Sequence, residues 1–342
     1  MAKRNQGSEK GPILITGGAG YIGSHMALAL WQNGFLPIVV DDLSTGRREA
    51  VLHGELVVAD VGDAERVAAL VRRHGIHQVI HFAGAIEVEE SMTDPLKYYH
   101  NNVAKSLTLI KTCLENGVSD FIFSSSAAVY GIPEKTPVGE EAPLAPINPY
   151  GSSKMLVEMI LRDSHRAFPA FRYIALRYFN VAGADPQGRI GQKYPRPTHI
   201  ITRALKTAIG QYPSLTIFGS DYPTRDGTAV RDYIHVDDLV AAHLAALEYL
   251  RSESASAVSR TFNCGYGRGS SVLEVVRAAQ KVTGREFMVE MGPRRPGDPP
   301  ELVADASRIR RELAWRPRHD NLEAIISSAW NWEKKLAGHS DR

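Results

Sequence analysis

The first half of the chain alternates short apolar runs with longer segments in which apolar residues recur at helical spacing. Hydrophobic residues fill consecutive positions in the short runs, which is typical of strands buried on both faces of a parallel sheet. We predict such strands at residues 13–16, 36–40, 56–59, 79–82, 121–124 and 173–177. The intervening segments predict helices that begin near Gly20, Asp63, Pro95 and Pro149. This alternation predicts an α/β fold with a doubly wound parallel sheet.

The pattern changes after Asn180. Residues 183–197 and 292–300 are rich in glycine, proline and charge, and they predict two loops. Helical patterns are found at residues 199–210, 237–250, 272–283 and 321–336. We therefore expect one domain over residues 11–181, with later returns near residues 233–265, and a smaller C-terminal α/β domain over residues 182–337.

Charge and composition narrow the class of protein. Forty basic and 38 acidic residues give a net charge of +2 over 342 residues, so we expect no binding to nucleic acid or to a membrane surface. The first apolar run is too short to span a bilayer, and the polar segment before it does not predict a signal peptide. The two cysteines, Cys113 and Cys264, lack metal-type spacing and suit a reducing compartment. We expect a cytoplasmic enzyme.

A glycine-rich turn follows the first predicted strand. Gly17, Gly20 and Gly23 lie where the chain passes from strand to helix, which allows backbone N–H groups to approach a pyrophosphate. The second strand ends in Asp41-Asp42, about 20 residues later, where a carboxylate binds the adenosine ribose. A carboxylate repels a 2′-phosphate, so NAD is favoured over NADP.

The cofactor preference and the role of Asp60 each allow a second interpretation. Arg47 and Arg48 could accommodate a 2′-phosphate, although we interpret them as part of a solvated loop. Asp60, at the end of the third predicted strand, could either reach the adenine or cap the helix that begins near Asp63.

Tyr150 and Lys154 are four residues apart at the start of a predicted helix, so both can lie on one face. The pKa of a free tyrosine is about 10, and a neighbouring ammonium group stabilises the phenolate and lowers that pKa. The strand-like run before them ends in three serines, 124–126, which could place a hydroxyl beside the tyrosine. The three residue types together predict a tyrosine that exchanges a proton with a substrate hydroxyl.

These motifs, in this order, resemble the extended short-chain dehydrogenase/reductase family. The resemblance is greatest to the UDP-glucose 4-epimerases within it, and it extends from about Pro12 to Lys335. It is carried by residues 17–25, 81–84, 95–103, 121–131, 176–180, 226–228, 230–236 and 294–298. The resemblance implies a Rossmann-like domain, tightly bound NAD, and interconversion of UDP-glucose and UDP-galactose by transient oxidation at C4.

The resemblance also implies a role for individual residues. Tyr150 would be the base, Lys154 its electrostatic partner and Ser126 the hydroxyl that holds O4 of the sugar. NAD would be contacted by Gly17, Gly20, Tyr21, Ile22, Gly23, Asp41, Asp42, Asp60, Val61, Phe82, Ala83, Asn101, Ser124, Tyr150, Lys154 and Tyr178. The UDP-sugar would be contacted by Ser126, Tyr150, Asn180, His199, Ile200, Thr216, Phe218, Arg231, Tyr233, Val272, Arg295 and Asp298.

Phe218 could pack on the uracil, the arginines suit a diphosphate, and Asp298 could accept hydrogen bonds from ribose hydroxyls. We expect no metal, because His77 and His81 fall in a strand-like segment without a suitable carboxylate. The family implies a homodimer through helices near residues 95–115 and 149–168. Apolar residues there, such as Leu107 and Met159, could equally be buried within the monomer.

Three positions depart from the family pattern. Ile86 stands where lysine is frequent, His199 where some members have asparagine, and Leu302 where a sugar-site tyrosine is frequent. All three concern the sugar pocket. They leave open a UDP-xylose/UDP-arabinose 4-epimerase or another NAD-dependent sugar-nucleotide oxidoreductase.

Overall fold

The computed structural model describes residues 10–194, 197–252 and 259–338. Its strands are β1 (Pro12–Thr16), β2 (Leu36–Asp41), β3 (Glu55–Val58), β4 (Gln78–His81), β5 (Asp120–Ser126), β6 (Arg172–Tyr178), β7 (Asn180–Ala182), β8 (Leu215–Phe218), β9 (Val230–His235), β10 (Arg260–Cys264), β11 (Gly269–Ser271), β12 (Val289–Gly292) and β13 (Glu301–Leu302). Its helices are α1 (Tyr21–Gln32), α2 (Ala64–His74), α3 (Val88–Thr93), α4 (Pro95–Tyr98), α5 (Lys105–Glu115), α6 (Pro149–Ala167), α7 (Ile200–Ile209), α8 (Val236–Arg251), α9 (Val272–Thr283), α10 (Ser307–Glu312) and α11 (Leu322–Leu336).

Seven parallel strands form the large sheet, in the order β10-β6-β5-β4-β1-β2-β3. Successive strand residues point to opposite faces, and both faces are buried. Ile13 and Ile15 pack into a core with α1 and α8, whereas Leu14 packs into a second core with α2, α5 and α6. The consecutive apolar residues of the strands are explained by this covering on both sides, and the predicted doubly wound α/β fold is confirmed.

The later part of the chain contributes smaller sheets. Strand β9 pairs with β7, β11 and β13, and β8 pairs with β12. Helices α7, α9 and α11 pack on one another beside them. Strand β10 pairs with β6, so the chain returns to the large sheet after building the smaller ones. The predicted division at residues 181 and 182 stays a prediction.

The expected single helix near Pro95 is wrong in detail. The segment consists of α4, a π-helical turn (Tyr99–Ala104) and α5. The turn changes the hydrogen-bond register of the backbone, which the apolar spacing does not reveal. None of the helices in the described ranges is both long enough and apolar enough to cross a membrane.

Candidate active site

The turn after β1 leaves room for a pyrophosphate. Gly17 has a φ of +69°, and a Cβ at this position would lie 2.6 Å from the backbone nitrogen of Ala83, so glycine is required there. Helix α1 begins after Gly20 with no side-chain cap and no acidic residue in its first turn. Its first amide groups are therefore available to a phosphate, which the helix dipole also attracts. The turn fits the predicted NAD.

Two of the predicted carboxylates lie at the end of β2. Asp41 is buried and accepts hydrogen bonds from the backbone N–H groups of Ala19 and Leu43, both at 2.9 Å. Burial raises the pKa of Asp41, and these hydrogen bonds oppose the shift. Asp42 is exposed and accepts from the N–H and hydroxyl of Ser44. Each carboxylate oxygen has two lone pairs, so acceptor sites remain for ribose hydroxyls.

Asp60 follows β3 and does not cap a helix. Its carboxylate accepts from the N–H of Gly62 at 2.8 Å and from the ammonium of Lys105 at 2.6 Å. Burial raises the pKa of Asp60, but Lys105 and Gly62 together outweigh burial and lower it. The cap of α2 is Asp63, which accepts from the N–H of Arg66. The helix-cap alternative for Asp60 is therefore wrong, and its contact with adenine stays a prediction.

The other residues predicted to bind the cofactor are placed by the ends of the parallel strands. The Tyr21 hydroxyl donates to the Gly183 carbonyl at 2.6 Å, which ties α1 to the segment after β7. The Tyr178 and Ser124 hydroxyls contact each other at the ends of β6 and β5. Ile22 and Gly23 lie in the first turn of α1, Val61 lies after β3, and Phe82 and Ala83 lie after β4. Asn101 is the exception, because it lies in the π-helical turn.

The predicted catalytic residues meet at the carboxyl end of β5. Ser126 is its last residue, and its hydroxyl accepts from the N–H of Ala128 at 3.2 Å. Tyr150 and Lys154 lie in the first two turns of α6, which begins after an Asn148 cap. The three side chains are 8%, 8% and 3% exposed, so a proton exchanged there is shielded from water. The structure thus brings together the two residues predicted from their spacing and the serine implied by the family resemblance.

Burial raises the pKa of Tyr150, and hydrogen bonding by Ser126 opposes the shift. The expected net lowering of this pKa by Lys154 is therefore wrong in the described structure. The Lys154 ammonium lies 5.9 Å from the centroid of the Tyr150 ring and donates to the Ser124 carbonyl at 2.9 Å. Burial also lowers the pKa of Lys154 to about 8. Removal from water dominates the electrostatics of this pair.

A partly buried arginine, Arg295, points to an anionic ligand in the C-terminal part. The Arg295 guanidinium lies 4.0 Å from the centroid of the Phe218 ring. Its Nε is buried and has no hydrogen-bond partner among the described residues. An unpaired N–H of this kind is costly unless a ligand accepts from it, and arginine suits phosphate oxygens. The guanidinium covers one face of Phe218, so the predicted uracil would have to pack on the other face.

The second predicted arginine already has a partner. Arg231 forms an ion pair with Asp298, and its Nη1 donates to the Val230 carbonyl at 2.8 Å. This ion pair ties the loop at residues 293–300, which contains Asp298, to β9, which contains Arg231. Each side chain therefore has less capacity for a ligand than the sequence suggested. Their contacts with a diphosphate and a ribose stay predictions.

The remaining residues predicted to bind substrate come from five elements. Asn180 and Tyr233 are neighbours across β7 and β9. Thr216 shares a face of β8 with Phe218, as expected from the period of two in a strand. His199, Ile200 and Val272 lie at the starts of α7 and α9.

The three departures from the family pattern have different surroundings. Burial lowers the pKa of His199, which favours its neutral form. Leu302 is 7% exposed and packs in a small core with Tyr130 and Val138. Ile86 is 37% exposed and follows β4 by five residues.

Comparisons with known proteins agree with this geometry. The model of the NAD dependent epimerase/dehydratase family matches residues 13–265. The chain belongs to this family. A UDP-glucose 4-epimerase from Azospirillum brasilense is 52% identical over 325 residues, which cover 95% of this chain and 92% of that relative.

Solved structures extend the likeness to the whole fold. UDP-glucose 4-epimerase from Bifidobacterium longum, in complex with NAD+ and UDP, has a TM-score of 0.91 at 36% identity and covers 96% of this chain and 100% of its own. The enzyme from Stenotrophomonas maltophila, with bound NAD and formylated UDP-arabinopyranose, has a TM-score of 0.92 at 38% identity, with the same coverage of both chains. The predicted family and fold class are confirmed.

Asn102 was not predicted from the sequence as a site residue, but it holds the loop that follows β4 in place. Its side-chain oxygen accepts from the Ala85 N–H at 2.7 Å, and its nitrogen donates to the Ala85 carbonyl and to the Ser153 hydroxyl at 3.0 Å. It therefore fixes the loop after β4 against α6. Two adjacent asparagines were visible in the sequence, but the π-helical turn decides which of them faces this loop.

Within the described ranges, one group has the composition of a metal site. It consists of His235, Asp237 and His319. Both ring nitrogens of His235 already have partners, the Asp237 N–H and the Ser328 hydroxyl. The rings of His235 and His319 are stacked at 4.4 Å, so their in-plane lone pairs do not converge on one point. We assign no metal there. His81, which the sequence analysis considered with His77 as a possible metal ligand, hydrogen-bonds with Thr16 and Ser106.

Proposed function

We propose that the protein is a UDP-glucose 4-epimerase that interconverts UDP-glucose and UDP-galactose with tightly bound NAD. The observation that carries the proposal is the meeting of Ser126, Tyr150 and Lys154 at the same end of the parallel sheet as the Gly17 turn. The relative that is 52% identical over nearly the whole chain is itself a UDP-glucose 4-epimerase, which supports the same activity.

The chemistry supplied by NAD when bound is acceptance of a hydride from C4 of the sugar and its later return. The amide groups at the start of α1 would hold the pyrophosphate, and Asp41 would accept from the adenosine ribose. Lys154 would bind the second ribose through its ammonium. These assignments agree with the uncapped helix and with the free acceptor sites on Asp41.

Proton transfer is the task of this chain's own side chains. Tyr150 would take the proton of the sugar 4-hydroxyl on its phenol oxygen and later return it to O4. Ser126 would keep O4 within reach of that oxygen. The charge of Lys154 would favour the phenolate and oppose the effect of burial on Tyr150. Inversion at C4 requires the sugar to present its other face between the two transfers.

A loosely held sugar needs a firmly held nucleotide. Arg295, with its unpartnered Nε, would bind the diphosphate, and Phe218 would pack on the uracil with its open face. Leu302 adds an apolar side chain rather than a hydrogen-bonding one to this part of the structure. Strong contacts at the nucleotide and weak contacts at the hexose would allow the sugar to turn.

We extend the proposal to a cytoplasmic homodimer that acts in galactose metabolism. Both cysteines are free and buried, which agrees with a reducing compartment. Exposed apolar side chains on the predicted interface helices, near residues 95–115 and 149–168, support an interface there. They include Leu96, Leu107 and Met159.

Incubating the purified protein with a panel of UDP-sugars, without added NAD, tests this function. We expect NMR to show UDP-glucose and UDP-galactose interconverting, with bound NAD recovered after denaturation. Tyr150→Phe should lose activity by about 10² to 10⁴-fold and retain its NAD.

Other outcomes would redirect the proposal. Conversion of UDP-xylose to UDP-arabinose without conversion of the hexoses would establish the pentose epimerase. Release of NADH in proportion to product would indicate a net oxidoreductase. Near-normal turnover by Tyr150→Phe would reject Tyr150 as the base.

A further inference from the structure

A buried ion pair lies behind the predicted catalytic side chains. Glu158 and Arg177 are 7% and 5% exposed, and Arg177 Nε lies 2.9 and 3.2 Å from the two Glu158 carboxylate oxygens. Glu158 lies on α6, one helical turn after Lys154. Its carboxylate also accepts from the hydroxyl of Ser125, the residue that immediately precedes Ser126. One carboxylate thus joins the tyrosine-bearing helix to the serine-bearing strand.

Arg177 extends the connection to the other elements around the site. It lies on β6 next to Tyr178, whose hydroxyl contacts Ser124. Its Nη1 donates to the Tyr130 hydroxyl at 2.9 Å, and that hydroxyl donates to Asn263 on β10 at 2.7 Å. Tyr130 ends the short 3-10 helix (Ala127–Tyr130) that follows Ser126. The network therefore links β5, β6, β10 and α6 at one point.

We propose that Glu158 and Arg177 are positioning residues that set the separation between Ser126 and the Tyr150–Lys154 face of α6. This inference rests on the proposed function, because it concerns the reaction at the same site. A buried ion pair adds little net stability compared with apolar residues of similar size. The bidentate geometry of the pair does fix the relative orientation and distance of the two elements that carry it, and apolar packing fixes them less tightly. Neither residue is assigned a proton in the reaction.

The same two strands contain a second ion pair that serves as a matched control. Asp120 begins β5 and Arg172 begins β6, and the two residues are partners in the strand register. Asp120 is 4% exposed and accepts from Arg172 Nε at 2.9 Å and from Nη2 at 2.6 Å. This pair lies at the amino ends of β5 and β6, whereas Ser126 lies at the carboxyl end of β5. Its loss should weaken the same strands without moving the catalytic residues.

The test compares Glu158→Gln and the double variant Glu158→Leu/Arg177→Met with Asp120→Asn and Asp120→Leu/Arg172→Met. The double variants remove both charges, so neither leaves an unpaired buried ion that could prevent folding. The measurements are kcat and KM for UDP-galactose, bound NAD, thermal unfolding, and the isotope effect of deuterium at C4.

We expect the Glu158 variants to lose about tenfold or more in kcat, because small misplacements of reacting groups cost at least that much. KM and NAD content should change by less than about twofold, and the isotope effect should rise as hydride transfer becomes slower. The Asp120 variants should lose comparable thermal stability and keep kcat within about twofold.

Unchanged kcat in Glu158→Leu/Arg177→Met would overturn the inference while leaving the proposed function intact. An equal loss of kcat in the Asp120 variants would also overturn it, since general loosening of the sheet would then explain both results. No epimerisation by the wild-type protein would overturn the proposed function and the inference together.

Discussion

Lys154 shows how burial controls a single charge. Its side chain is 3% exposed, and its pKa falls from 10.5 to about 8 because the ammonium has left water. Between these two values the unfolded chain keeps the proton and the folded protein does not. Stability therefore rises with pH through that window, and at neutral pH the buried charge costs stability. The folded protein retains the charge at pH 7, where the proposed reaction needs it.

This shift predicts a pH dependence of activity. Because the protonated form of Lys154 is required and its pKa is about 8, the slope of log kcat/KM against pH should decrease by one above that value. The measurement is a rate profile from about pH 6 to pH 10 with NAD bound. Lys206→Met, which removes a lysine paired with Glu333, should leave the break at the same pH. A profile with no break in this range would contradict the role of Lys154.

Spacing predicted that Tyr150 and Lys154 share a helix face, and the family resemblance added Ser126 to the predicted catalytic residues. Tyr150 and Lys154 are one helical turn apart, and Ser126 ends a strand, so their meeting follows from regular geometry. The direction of the Tyr150 pKa shift could not be predicted in this way. It depends on how far burial outweighs the Ser126 hydrogen bond, and the depth of burial is set by the packing of segments distant in the sequence.

At the scale of elements, the site depends on the close approach of α6 to the 3-10 helix that follows Ser126. Gly151, in the first turn of α6, makes this approach possible, because a Cβ there would lie 2.5 Å from the Ala128 carbonyl oxygen. Its N–H donates to the Asn148 side chain at 2.8 Å, which fixes the start of the helix. Tyr150 immediately precedes Gly151, and Ser126 lies two residues before Ala128. The distance between the two elements therefore sets the distance between Tyr150 and Ser126.

Gly151→Ala should therefore separate the two elements. We expect kcat to fall about 10 to 100-fold, because a displacement of this order misaligns the reacting groups. Stability should fall by about 1–3 kcal/mol, as for other overpacked sites. Kinetics and thermal unfolding test both effects. Gly139→Ala is the control, since a Cβ at Gly139 would meet nothing within 4 Å. A Gly151→Ala enzyme with wild-type kcat would show that this contact does not set the catalytic distance.

The strands that could be predicted are those with a continuous apolar run in the sequence. The six strands predicted in the first half all exist, because strands covered on both faces carry continuous apolar runs. The strands after residue 178 were not predicted. Strand β9 has six buried residues, but Arg231 and Asp232 interrupt its apolar run. Strand β7 has three residues and β13 has two, and both pair with β9 from distant positions in the chain. Runs of two or three residues contain no periodicity to detect.

The whole molecule combines features that the sequence reveals with others that it hides. The alternation of strands and helices was sufficient to predict the fold class. The oligomeric state could not be predicted from the sequence, because apolar residues on α5 and α6 lie both in the core and on the surface. Leu109 and Val157 are buried within the monomer, whereas Leu107 and Met159 are 51% and 39% exposed. The two pairs occupy similar helical patterns in the sequence, and only the folded packing separates them.

The exposed residues predict how the protein associates. Leu96 is 77% exposed and precedes the π-helical turn, and Leu107 follows it, so both lie on the segment expected at the dimer interface. We expect light scattering to give about twice the chain mass of 37.6 kDa for the wild type and the monomer mass for Leu96→Glu/Leu107→Glu, because buried like charges would face each other across the symmetric contact. Met288→Glu alters an apolar residue that is 63% exposed outside these helices, and it should remain dimeric. A double variant of unchanged mass would place the interface elsewhere, and a monomeric wild type would reject the homodimer.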